Sequence, residues 1–73
     1  MFGTVKQIVH VEGMHCEHCA ARVEKALGQV EGVKGVKVDL EKKIAVVKTK
    51  SAITSEQAKT AIEGIGFQFV SLE

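Results

Sequence analysis

The sequence predicts an α+β fold in which two helices cover one face of a four-stranded antiparallel sheet. Apolar residues alternate with polar ones along four segments and recur at helical spacing along two others. The six segments follow the order strand, helix, strand, strand, helix, strand, which is the split βαβ, or ferredoxin-like, arrangement. The 73-residue chain has no proline and no low-complexity tract, so we expect residues 1–73 to form a single domain.

The first half of the chain is expected to begin with a strand and a helix. Residues 5–11 alternate so that Val9 and Val11 share one face, which predicts a strand. From Cys19 onward apolar residues recur three and four positions apart, and Gly28 is placed to end the predicted helix.

A hairpin is expected next. Valine and leucine alternate with lysine and aspartate over residues 36–40, as in a strand with one wet face. A short polar turn at residues 41–43 leads to a second alternating run at residues 44–49. Because the connection is short, the two strands should be antiparallel.

A second helix and a closing strand complete the predicted order. Thr54 and Gln57 have the spacing of a capping box, which marks a helix start. Apolar residues follow at helical spacing until Gly64 and Gly66 break the pattern. The short aromatic and β-branched run at residues 67–70 then predicts the last strand.

The predicted core joins the apolar stripes of the helices to one face of the sheet. The helix residues expected to meet the sheet are Val23, Leu27, Ala58 and Ile62. The strand residues expected to meet the helices are Val9, Val11, Val36, Val38, Ile44 and Val46.

Composition narrows the classes of partner. Ten basic and nine acidic residues are interspersed and give a net charge of +1, so we expect no nucleic-acid partner. No apolar stretch approaches the about 20 residues needed to span a bilayer, and we expect no membrane insertion. Because no export signal is recognisable, we expect a cytoplasmic location, where paired cysteines more often bind metals or do redox chemistry than form structural bridges.

The connection between the first strand and the first helix concentrates the reactive side chains. The stretch Gly13-Met14-His15-Cys16-Glu17-His18-Cys19 holds both cysteines of the chain. A helix N-terminus carries unpaired N–H groups and a partial positive charge, which favour thiolate over thiol. The spacing of three residues can turn both sulfurs toward one point outside the helix end. Met14 is expected to pack inward and anchor the loop.

Two convergent sulfurs favour a soft monovalent ion. Structural zinc prefers four ligands, whereas thiolates select Cu(I) among the available metals. We therefore predict Cu(I) as the bound ion and Cys16 and Cys19 as its ligands. Glu17 opposes a second negative charge beside the sulfurs, so the helix dipole and the metal must outweigh it. Because the loop is exposed, thiols of a partner protein could take the ion by stepwise ligand exchange.

At these residues the chain resembles the heavy-metal-associated domain family, especially its CopZ-like bacterial copper chaperones. The resemblance extends from Gly13-Met14-His15-Cys16-Glu17-His18-Cys19 to Val30-Glu31-Gly32-Val33 and to Ala61-Ile62-Glu63-Gly64-Ile65-Gly66-Phe67. It implies a cytoplasmic, non-enzymatic chaperone that binds Cu(I) through Cys16 and Cys19. It also implies delivery to a copper-transporting P-type ATPase or its metal-binding domains, or in some bacteria to a copper-responsive repressor.

Two positions depart from the pattern of that family. Phe67 stands where the bacterial chaperones commonly carry tyrosine; it is expected either to fill the core or to cover the ion, without a hydroxyl to bond a sulfur. His15 stands where serine or threonine is frequent and brings an imidazole near the ion, which leaves a third ligand and the choice of metal open.

A Cys-x-x-Cys pair is also found in proteins with other functions. A thiol-disulfide oxidoreductase also uses Cys-x-x-Cys at a helix N-terminus. The chain is short for a thioredoxin-like fold, and it has no proline to supply the cis-proline that such enzymes, by resemblance, place beside the disulfide. A structural zinc module is disfavoured because no Cys or His pair follows Cys19. A carrier of zinc or another soft metal stays open. We expect the metal-free chain to be a monomer, while two thiolate pairs could share copper in a bridged dimer.

Overall fold

The computed structural model describes residues 4–73 and confirms the predicted order of elements. The elements are β1 (Val5–Glu12), α1 (Glu17–Gly28), β2 (Val33–Asp39), β3 (Ile44–Thr49), α2 (Ser55–Glu63) and β4 (Gln68–Leu72). The strands form one antiparallel sheet in the order β2-β3-β1-β4, which is the ferredoxin-like topology. Residues 1–3 of the predicted domain lie outside the described residues. Within residues 4–73, neither helix has the length and apolar character needed to cross a membrane.

The core lies between the helices and one face of the sheet, as predicted. Its buried apolar side chains are Val9, Val11, Met14, Val23, Leu27, Ala45, Val47, Ile53, Ala58 and Ile62. All four predicted helix-stripe residues belong to this set, and Val36 and Val38 pack against it. Each fully buried valine, leucine or isoleucine contributes about 1.5–3 kcal/mol relative to an exposed position.

The predicted orientation of β3 is wrong. Ala45, Val47 and Thr49 are completely buried, whereas Ile44 and Val46 lie on the opposite face and are half-buried. Pairing explains the orientation, because Ala45 sits opposite the core residue Val9 of β1. The run Ile44-Ala45-Val46-Val47 is apolar on both faces, so its alternation does not fix the inward face.

Both helix starts agree with the predictions, whereas the last strand is longer at its C-terminal end than predicted. The capping box of α2 is confirmed: the N–H of Gln57 donates to the Thr54 hydroxyl, and the Gln57 side chain accepts from the Thr54 N–H. Helix α1 runs from Glu17 to Gly28, so Cys19 lies in its first turn and the apolar stripe from Cys19 onward is helical, as predicted. The last strand runs from Gln68 to Leu72 rather than over residues 67–70, because Leu72 pairs with β1.

A buried glutamine fastens β1 to the loop before α2. The Gln7 side chain is 9% exposed and lies on the core side of β1. Its Nε2 donates to the Ile53 carbonyl oxygen at 3.2 Å, and its Oε1 accepts from the Ile53 N–H at 2.8 Å. The side-chain amide thus satisfies the N–H and the carbonyl oxygen of Ile53, as a neighbouring strand would do in a sheet.

Candidate metal centre

Gly13 and Met14 fix the start of the loop between β1 and α1. Met14 is 7% exposed and belongs to the core, which confirms its predicted inward orientation. Gly13, which precedes it, has a φ of +103°, in the region that residues with a Cβ rarely adopt. The chain therefore leaves β1, turns at Gly13 and fixes Met14 in the core, which leaves the following residues at the surface.

Cys16 occupies the N-cap position of α1. Its backbone is extended, with φ −154° and ψ 175°, and its carbonyl oxygen accepts from the Ala20 N–H at 3.1 Å. Its side chain makes no capping hydrogen bond, in contrast to the serine, threonine, aspartate or asparagine that usually fill this position. The exposed sulfur is therefore available for another partner.

The two sulfurs converge as the spacing predicts. Cys19 lies in the first turn of α1 and is half-buried. Both cysteines are free thiols, and the Cys16 thiol lies 3.8 Å from the Cys19 sulfur and donates toward it. Separate elements position the pair, because the loop directs Cys16 and the helix directs Cys19.

The surroundings of Cys19 favour its thiolate. Its pKa lies below the ordinary thiol value, chiefly because the backbone N–H of His15 hydrogen-bonds to the sulfur. Desolvation acts in the opposite direction, and hydrogen bonds from Cys16 and the positive charge of Arg22 add smaller lowering effects. A lowered thiol pKa provides the deprotonated sulfur that metals require.

The histidines do not extend the two sulfurs into a larger cluster. Across residues 4–73, no three His, Cys, Asp or Glu side chains come together in a metal-binding arrangement. His15 and His18 are exposed. His10 lies on β1 and its Nε2 is 2.7 Å from a carboxylate oxygen of Glu73, outside the loop. The candidate centre in the described chain is thus a pair of sulfurs.

Phe67 lies against the loop at its glycine. After α2, the Phe67 N–H donates to the Ile62 carbonyl oxygen and the Gly66 N–H to that of Glu63, a Schellman motif in which Gly66 has a φ of +91°. This turn brings Phe67 over Gly13, where a Cβ added to the glycine would lie 3.2 Å from the ring carbon Cδ1. Phe67 therefore packs on the core and also supports the loop.

Gly13 is a structural requirement that sequence reasoning missed. In the sequence, it is a glycine directly after an apolar strand and the first residue of the cysteine-containing stretch, and neither feature shows the contact with Phe67. We expect Gly13→Ala to destabilise the fold by about 1–2 kcal/mol, because alanine is strained at positive φ and its methyl group crowds Phe67. Urea unfolding measures this loss.

Gly28→Ala is the matched control. Gly28 ends α1, has no positive φ, and a Cβ there would meet nothing within 4 Å. Alanine at this position should leave stability unchanged or raise it by up to about 1 kcal/mol. Equal destabilisation by both substitutions would contradict the role assigned to Gly13.

The sequence of the chain matches a known family and a characterised relative. The family model of the heavy-metal-associated domain matches residues 8–68. The chain is 46% identical over 65 residues to the copper chaperone CopZ of Enterococcus hirae, and the match covers 88% of this chain and 94% of that protein.

Solved structures share the fold over almost the whole chain. A structure described as a CopZ metallochaperone matches with a TM-score of 0.81 and 39% identity, covering 90% of this chain and 100% of that one. The N-terminal domain of a potential copper-translocating P-type ATPase from Bacillus subtilis, solved in its Cu(I)-loaded state, matches with a TM-score of 0.76 and 29% identity. That match covers 96% of this chain and 85% of the ATPase domain.

Proposed function

Since the chain belongs to the heavy-metal-associated domain family, we propose that it is a copper chaperone that binds Cu(I) through Cys16 and Cys19. The observation that carries the proposal is the approach of the two free sulfurs to 3.8 Å at an exposed helix N-terminus. With metal–sulfur bonds of about 2.3 Å, one ion can bridge sulfurs up to about 4.6 Å apart. The pair therefore needs no large rearrangement to hold a single ion.

The donor set favours Cu(I) over zinc. Thiolates are soft ligands that suit Cu(I), whereas structural zinc sites are closed by four protein ligands. The described residues supply two sulfurs and no cluster of three ligating side chains. A zinc ion would have to complete its shell with water or with groups from another molecule.

Exposure of the site supports delivery rather than storage. Cys16 is exposed and Cys19 is half-buried, so a thiolate of a partner can approach the ion from the Cys16 side. Transfer then proceeds by exchange: an incoming thiolate binds the ion, one sulfur of the chaperone leaves, and a second exchange completes the movement. The ion remains Cu(I) throughout, because only ligands are exchanged. No enzymatic step is needed.

We further propose a copper-transporting P-type ATPase as the recipient and the cytoplasm as the location. The structural match to an N-terminal ATPase domain solved in its Cu(I)-loaded state supports this recipient, because a domain of similar fold that holds the same ion can accept it by ligand exchange. The similarity to bacterial CopZ proteins also supports it. Delivery to a copper-responsive repressor and a copper-bridged dimer stay predictions.

A competition titration tests the metal. The reduced protein is titrated with Cu(I) against a Cu(I) chelator, and the experiment is repeated with Zn(II) and a zinc chelator. We expect one Cu(I) ion per chain and much weaker Zn(II) binding, because two soft donors do not satisfy zinc. Tighter binding of Zn(II) than of Cu(I) would identify zinc, and not copper, as the cargo.

A further inference from the structure

The open face of the sheet carries three lysines at the end opposite the metal centre. Lys6 of β1 and Lys48 of β3 are direct cross-strand partners, and Lys37 of β2 lies beside Val46, two residues from Lys48. All three lysines are exposed. Directly opposed side chains have Cβ atoms about 5 Å apart, and diagonal ones about 7–8 Å apart. We call Lys6, Lys37 and Lys48 the lysine triad.

Within residues 4–73, no acidic side chain forms an ion pair with the triad. Among residues 4–73, the two ion pairs join His10 to Glu73 and Lys43 to Glu12. Residues 1–3 contain no carboxylate side chain. Like charges directly opposite each other on neighbouring strands destabilise a sheet. The arrangement of Lys6 and Lys48 therefore costs stability, and no ion pair among the described residues offsets that cost.

A cleft opens between the triad residues. Its volume is about 460 Å³, and its lining consists of the triad with Gly35, Val36 and Val46. Gly35 is the partner of Lys48 in the sheet, and a Cβ on this glycine would meet nothing within 4 Å. This glycine lies at a register shift between β2 and β3, which falls between Val33 and Gly35, and its missing side chain leaves space beside Lys48. The cleft thus offers a small opening surrounded by positive charge.

We propose that this face docks an acidic, extended protein segment. Charge complementarity selects an anionic partner, and Val46, the apolar residue of the open face in the cleft, favours one that also carries apolar side chains. Alternate residues of an extended segment lie about 7 Å apart on one side, which matches the diagonal spacing of Lys37 and Lys48. A lipid surface fits less well, because the apolar side chains of the cleft are half-buried rather than fully exposed.

The proposed docking face leaves the metal centre accessible. Lys6 and Glu12 lie near opposite ends of β1, about 20 Å apart at 3.3 Å per residue. A partner held at the triad would therefore not cover Cys16 or Cys19. The docking face is thus separate from the copper site, and an acidic segment can bind to it whether or not the chain carries copper.

Nuclear magnetic resonance of the metal-free, isotope-labelled protein tests the docking face. The probe is a short synthetic peptide of alternating glutamate and valine. We expect saturable, salt-sensitive shifts in β2, β3 and the start of β1, with little change in the metal loop. Lys48→Glu should weaken peptide binding at least about tenfold and should also raise the melting temperature, because it replaces a repulsive pair by an attractive one.

Matched variants and probes decide between the outcomes. Lys59→Glu makes the same charge change at an exposed position on α2 and should bind the peptide normally. Lys48→Arg keeps the charge and should retain binding, and a glutamine-valine peptide should not bind. Absence of saturable shifts, or equal losses in Lys48→Glu and Lys59→Glu, would overturn the proposal. Tighter binding of inorganic triphosphate or phosphatidylglycerol vesicles at the same face would overturn the choice of a protein partner.

Discussion

Replacing either cysteine by serine should abolish tight Cu(I) binding. A serine oxygen is a hard donor that suits Cu(I) poorly, and the single remaining sulfur cannot hold the ion alone. Removal of an outer-shell residue that only supports a ligand costs about 10–100-fold in metal affinity. Removal of a ligand itself should cost more, so we expect each variant to lose more than about 100-fold in affinity. The chelator competition titration measures the loss directly.

The same substitutions should leave the fold intact. Cys16 is the N-cap of α1 and its sulfur makes no capping hydrogen bond, whereas serine is a preferred N-cap residue. Cys16→Ser should therefore raise the free energy of unfolding of the metal-free protein by about 0.5–1 kcal/mol. This gain would show that the sulfur is kept for metal binding at the expense of stability.

His15→Ala serves as the matched control in the same loop. His15 is exposed and forms no three-ligand cluster with Cys16 and Cys19. The affinity of this variant for Cu(I) should equal that of the unaltered chain. A large loss in His15→Ala would make the imidazole a third ligand, and unchanged affinity in either serine variant would contradict the two-sulfur site.

Removal of the Gln7 side chain should be among the most damaging changes outside the metal loop. Gln7→Ala leaves the Ile53 N–H and carbonyl oxygen without their partner in a buried position. An unsatisfied buried group costs about 1–3 kcal/mol, so we expect a loss of about 2–4 kcal/mol in the free energy of unfolding. For a domain of this size, that corresponds to a melting temperature lower by about 8–32 °C.

Gln68→Ala provides the comparison. Gln68 is an exposed residue of β4, and the same side-chain truncation there should change stability by less than about 0.5 kcal/mol. Thermal and urea unfolding of the two variants, measured without metal, separate the effects. Similar stabilities for Gln7→Ala and the unaltered chain would show that the paired hydrogen bonds contribute little.

The sequence allowed most of the architecture to be predicted, because local pattern and global fold agree. Periodicity placed all six elements, and the capping box marked the start of α2. The inward face of β3 could not be read from an apolar run, since both faces satisfy the pattern. Lys48 was the missed signal: it shares a face with Ile44 and Val46 and is exposed, which turns that face outward.

The candidate site was predicted in outline but not in detail. Motif and position placed both cysteines at the helix N-terminus, where the structure brings their sulfurs together. The support of the loop by Phe67 depends on a contact with Gly13 between distant parts of the chain. The Gln7 contact with Ile53 spans 46 residues, and a glutamine in a strand gives no local sign of it. Such contacts arise from tertiary packing rather than from periodicity.

X-ray absorption spectroscopy at the copper edge tests the central claim most directly. The reduced protein is loaded with one equivalent of Cu(I), and the scattering shell around the metal reports the type and number of its ligands. We predict a monovalent copper coordinated by sulfur, with that shell lost in Cys16→Ser and Cys19→Ser. A copper bound by nitrogen or oxygen atoms while both thiols remain open to alkylation would contradict the account.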